Sequence, residues 1–103
     1  MQIQELNKYT QLFDCYGKLL PQKQYDVMDK LLNLDIGESE MAELSNGSRQ
    51  AIYDAIKKAK KQLVEFESKC EFVKFKTELK EDLRKLKQAK GLEQEIERII
   101  TKL

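Results

Sequence analysis

The residues best placed to do chemistry follow Ser48. Taken at about 100° per residue, Gln50, Tyr53, Asp54, Lys57, Lys58 and Lys61 share one side of a helix, and Ile52, Ala55, Ile56, Ala59, Leu63, Phe66 and Cys70 share the other. A polar and mainly basic front on an apolar back suits recognition of a polyanion rather than turnover of a substrate. Net charge points the same way. Residues 1–47 hold four lysines and eight acids, residues 48–76 eight basic residues and four acids, and residues 77–103 seven basic residues and six acids. The overall +1 hides a basic middle segment behind an acidic opening.

Other chemistries find little here. The chain has no histidine, which removes the commonest general base and metal ligand. No glycine-rich phosphate loop or nucleophile elbow occurs. Cys15 and Cys70 match no metal or redox spacing and read as small buried apolar residues. The chain is therefore expected to be no enzyme, with no catalytic residue, metal or cofactor. No apolar run nears the ~20 residues of a membrane span and no signal peptide opens the chain, so no membrane insertion and a cytoplasmic location are expected.

The elements that must hold the Ser48 segment follow from periodicity. Leu6, Tyr9, Phe13 and Tyr16 make one stripe and predict a first helix over about 3–16, ended by Gly17. Pro21 suits the first turn of a second helix whose inner face is Tyr25, Met28, Leu31 and Leu32. Asn33 to Gly37 reads as a loop with Leu34 and Ile36 tucked inward. A short helix over about 38–44 follows, with Met41, Ala42 and Leu44 as its apolar content. Ser45-Asn46-Gly47 is a turn, because Asn and Gly tolerate positive φ. Ser48 caps the fourth helix. Phe72, Phe75, Leu79, Leu83 and Leu86 continue a helical stripe, Gly91 breaks it, and Leu92, Ile96, Ile99, Ile100 and Leu103 form a last amphipathic helix.

Two short helices joined by a tight turn, the second opening at a capped serine, describe a helix-turn-helix. Ala42 is small enough to let the second helix cross closely, and Ile52 with Ala55 or Ile56 would seal the pair. Helix pairs of this kind also serve as plain packing, and a lysine cluster also serves as a solvated face. The fold class is all-α: a helix-turn-helix bundle over residues 1–76 with a C-terminal helical extension over 77–103. The apolar stripe of the extension needs burial, either in a homodimer or back on the same chain.

Two stretches carry a family resemblance. Leu12-Phe13-Asp14-Cys15-Tyr16-Gly17-Lys18-Leu19-Leu20-Pro21-Gln22-Lys23-Gln24 and Ser48-Arg49-Gln50-Ala51-Ile52-Tyr53-Asp54-Ala55-Ile56-Lys57-Lys58 resemble the YlxM-like family. These are small bacterial proteins similar to region four of sigma factors, and the resemblance covers roughly residues 6–75. It implies DNA as a partner and regulation linked to the signal recognition particle pathway. The near-neutral net charge and the long C-terminal apolar stripe leave open a protein or ribonucleoprotein adaptor among that particle's components that does not read DNA. It implies roles as well. Ser48 would present helix N–H groups to a phosphate. Arg49 and Gln50 would enter the major groove, where Arg suits guanine and Gln adenine. Tyr53 and Lys57 would make backbone or methyl contacts, and Lys58, Lys60 and Lys61 would add phosphate attraction that salt weakens.

Overall fold

A computed structural model describes residues 1–44 and 48–103, with the side chain of Lys90 set aside. All its regular elements are helical: α1 (Ile3–Tyr16), a 3-10 turn (Gly17–Leu19), α2 (Gln22–Leu32), α3 (Glu38–Leu44), α4 (Arg49–Cys70), α5 (Phe72–Lys90) and α6 (Glu93–Lys102). The expected all-α architecture is what the chain adopts. The turn expected at Ser45-Asn46-Gly47 lies outside the described residues. The chain divides into two compact units, Met1–Cys70 and Glu71–Leu103.

In the first unit, α4 is the element the others pack on: α1, α2 and α3 all meet it. Its back is buried through Ala55, Ile56, Ala59 and Leu63, and Ala59 and Leu63 have no exposed surface. Alanines at 55 and 59 let neighbouring helices approach closely, because a larger side chain would hold them apart. Leu12, Phe13 and Tyr16 come from α1, Val27 and fully buried Met28 from α2, and Met41 and Ala42 from α3. Phe13 packs against Tyr25 with ring centroids 5.0 Å apart, and Tyr16 against Phe66 at 5.9 Å. The Tyr16 hydroxyl donates to Glu67 Oε1 at 2.5 Å, giving the polar end of a buried ring a partner.

Several local expectations need correction. Gly17 follows α1 as expected, but in right-handed backbone (φ −55), and a 3-10 turn continues the chain. Its missing side chain matters for space: a Cβ there would lie 2.9 Å from the Phe13 ring. In the loop after α2 the left-handed residue is Asp35 (φ 53). The N–H of Leu34 bonds back to the Asp29 carbonyl at 3.2 Å, and that of Ile36 to the Lys30 carbonyl at 3.0 Å. These bonds satisfy carbonyls that the helix end leaves open. Ile36 is half-buried as expected, whereas Leu34 points outward at 59% exposure. Cys15 is half-buried and Cys70 is exposed at the end of α4, so neither is the buried apolar residue expected.

The second unit is a helical hairpin. Glu71, in left-handed backbone (φ 55, ψ 29), separates α4 from α5. No glycine or proline marks that break. Gly91 (φ 67) turns the chain between α5 and α6, a conformation glycine adopts without the Cβ clash of other residues. Ile96 and Ile100 of α6 are buried, and α6 packs on α5. Glu93 and Glu95 open α6 and Lys102 closes it, complementing the helix dipole. Lys87 Nζ lies 2.9 Å from Glu97 Oε2. That hydrogen bond first, and the lysine's charge second, hold the Glu97 carboxyl below its ordinary value. The unit boundary at 70/71 precedes the one read from the sequence, and position 76 lies inside α5.

If α4 is the central packing element, its smallest buried side chain should tolerate no enlargement. Ala59→Leu is expected to cost about 1–3 kcal/mol through overpacking. Met28→Ala is expected to cost about 2–5 kcal/mol through the cavity it leaves. Urea unfolding followed by circular dichroism reads both; unchanged midpoints would show that these sites are not in a packed core.

Candidate nucleic-acid interface

The N-terminus of α4 is built by Ser48. Its Oγ accepts the Ala51 N–H at 3.2 Å, and its carbonyl accepts the N–H groups of Ala51 at 3.0 Å and Ile52 at 3.4 Å. A serine in this position satisfies a donor that the first helical turn would otherwise leave open. Ser48, Arg49 and Gln50 are all exposed, so the start of the helix faces solvent.

From there the helix period sorts the candidates. Gln50, Lys57 and Lys61 are exposed on one stripe opposite the buried back, and half-buried Tyr53 borders it. Arg49 stands at the first turn beside them. The remaining two lysines fall to the flanks. Lys60 turns toward α1, where its Nζ lies 3.4 Å from Glu5 Oε1 and 5.2 Å from the centre of the Tyr9 ring. Only 20% of its side chain is exposed. It joins α4 to α1, a role its place in a lysine run did not suggest. Lys58 turns to the other flank and pairs with Asp54, one turn before it, at 3.0 Å. That pair is exposed and weak, so Lys58 stays available at little cost, but Asp54 offsets part of its charge.

Sequence reasoning passed over Lys23. It lies in the first turn of α2 and lines a groove of about 200 Å³ with Pro21, Gln24, Ala51, Asp54 and Lys58. The signal was present: the dipole disfavours a cation in the first turn of a helix, so a lysine there is out of its usual place. The groove puts a second lysine, besides Lys58, at this flank of α4. The carboxamide Oε1 of Gln24, buried in the same region, has no hydrogen-bond partner among the described residues.

The helix-turn-helix assignment rests on α3 and α4. α3 has the expected bounds and α4 opens after Ser48 as expected, Ala42 is buried, and Ile52 of α4 lines one cleft with Met41 and Leu44 of α3.

Comparison with known proteins agrees. A family described as "Putative helix-turn-helix protein, YlxM / p13 like" matches residues 3–103. The chain belongs to this family. A relative in Fusobacterium nucleatum is 33% identical over 103 residues, covering 97% of this chain and all of its own length. A relative in Clostridium novyi is 44% identical over 72 residues, 70% of this chain and 63% of its own, and one in Clostridium perfringens is 45% identical over 65 residues, 63% of this chain and 58% of its own. The matches thus span about three-fifths of those clostridial relatives. All three are named only as proteins of the same UPF0122 family. No solved structure matches the chain. No helix among the described residues is long and apolar enough to cross a membrane.

Loss of the cap should be visible without any ligand. Ser48→Ala is expected to lower stability by about 0.5–2 kcal/mol, and Ser48→Asp to retain it. Equal unfolding midpoints for all three proteins would remove Ser48 as the residue that starts α4.

Proposed function

We propose that this chain binds duplex DNA by laying the N-terminal half of α4 in the major groove. One observation carries the reading: α4 is anchored along one side by three helices while its opposite side, from Gln50 through Lys57 to Lys61, stays exposed. Arg49 and Gln50, at the tip, are the base readers, each matched to a purine edge by two hydrogen bonds. The capped start at Ser48 turns N–H groups toward a phosphate. Tyr53 and Lys57 contact backbone or a thymine methyl, and Lys58 and Lys61 add phosphate attraction. Lys60 is left out of this set, because Glu5 and Tyr9 already hold it. The reading assigns no catalytic role to any residue. It makes the protein a cytoplasmic DNA-binding regulator, with the resemblance described above supplying the signal recognition particle pathway as its setting.

A second reading has its own support. Asp54 shares the exposed side of α4, and two of the lysines are already paired. A front of such modest net charge also suits an adaptor that meets a protein or ribonucleoprotein of that pathway without reading DNA.

Fluorescence anisotropy with random-sequence duplex DNA at several salt concentrations separates the two. Binding is expected to weaken linearly in log–log form, by a slope of roughly 0.9 per phosphate neutralised. Lys57→Ala should reduce the slope by about one, while Lys60→Ala should leave it unchanged. Arg49→Ala with Gln50→Ala should weaken binding to selected sequences by roughly tenfold or more. No binding at low salt would reject the DNA reading. Capture of pathway proteins that survives nuclease treatment would then favour the adaptor.

A further inference from the structure

We propose that the α5–α6 hairpin is a dimerisation element that packs face to face on the same hairpin of a second copy of this chain. The inference stands apart from the DNA reading and uses only the second unit.

The packing inside the hairpin leaves an apolar face uncovered. α6 uses Ile96 and Ile100 against α5, and the Lys87–Glu97 pair closes one side of that seam. On the other side the helix period groups Phe75, Leu79 and Leu86 on α5, and Ile99 on α6 with Leu92 just before it. Phe75 is 59% exposed, Leu86 46%, Leu92 49% and Ile99 45%. Large apolar side chains grouped on one face of a two-helix hairpin are what a helical bundle buries when two hairpins meet.

Charge identifies the occupant as a second copy. The outer edge of α5 beside this face carries Lys85, Asp82 and Glu78, and the outer edge of α6 carries Glu95, Arg98 and Lys102. All six are exposed. Counted outward from Gly91, the α5 residues lie six, nine and thirteen positions away, and the α6 residues four, seven and eleven. The order of signs is plus, minus, minus on α5 and minus, plus, plus on α6, with a constant offset of two residues, about 3 Å along a helix. The two edges face away from each other within one hairpin, on opposite sides of the shared face, so they cannot pair in the same chain. A two-fold axis running along the hairpin places α5 of one copy over α6 of the other. Both edges then meet their complements: Lys85 with Glu95, Asp82 with Arg98, and Glu78 with Lys102 of the second copy. Such an interface is self-complementary in shape and in sign, as a two-fold contact requires.

Sedimentation velocity of the full chain over a range of concentrations tests this. A reversible dimer is expected. Phe75→Glu with Ile99→Glu, both at exposed positions, should weaken association at least ~30-fold while the helical circular dichroism stays unchanged. Charge reversal isolates the pairing. Glu78→Lys with Asp82→Lys gives one protein whose two edges are both positive at these levels. Arg98→Glu with Lys102→Glu gives another whose edges are both negative. Each alone is expected to be monomeric, and an equimolar mixture should form a heterodimer. A wild-type chain that stays monomeric up to a concentration of about 100 micromolar overturns the proposal. So does a dimer untouched by these changes, or a mixture that fails to associate while both variants remain folded.

Discussion

The contact that everything else depends on is the burial of one side of α4. This helix runs from Arg49 to Cys70, and its back meets α1, α2 and α3 in turn. Ala55 and Ala59 make that possible, since helices can approach a small side chain closely enough for Ile56 and Leu63 to fill the space around them. Once the back is fixed, the helix cannot rotate about its axis without exposing the core. Every polar residue on it is thereby assigned a direction. Gln50, Lys57 and Lys61 face outward, Lys60 meets Glu5 and Tyr9 on α1, and Lys58 lies toward the start of α2 beside Lys23.

Electrostatics sharpens this picture. The acids concentrate before residue 48, and α4 carries most of the opposing charge of the first unit. Part of that charge is used internally. The Lys60–Glu5 contact joins α4 to α1, and Lys58 shares Asp54. What remains outward is a narrow basic stripe and not a broad basic surface. A stripe of this kind supports binding whose strength depends on ionic conditions and whose selectivity comes from a few side chains at the helix tip. Family membership agrees with the helix-turn-helix but carries no residue-level role.

The second unit obeys a different logic. A hairpin of two amphipathic helices has one seam to bury internally, and Ile96 and Ile100 occupy it. Apolar residues beyond that seam stay exposed, which sets them apart from the first unit's core. Phe75, Leu86, Leu92 and Ile99 are exposed, and the proposed dimer rests on these residues together with the opposite order of signs along the two edges.

Much of the architecture was legible in the residues. Apolar spacing located the helices, because a side chain's place on a helix depends only on its position in the chain. Ser48 and Gly91 marked boundaries through local chemistry, a hydroxyl for an open N–H and a missing Cβ for a positive φ. Ala42 was readable as a buried residue because small size and apolar character are properties of the residue itself. Other features were decided by the tertiary structure. The break at Glu71 carries no glycine or proline, and the left-handed turn after α2 falls on Asp35 while Gly37 is not left-handed. In the sequence Lys60 shares the phosphate-attracting role of Lys58 and Lys61; in the fold Glu5 and Tyr9, more than fifty residues earlier in the chain, lie within its reach. The dividing line is physical. A periodicity or a cap is written in neighbouring residues, whereas a side chain's partner is set by whichever distant helix packs beside it.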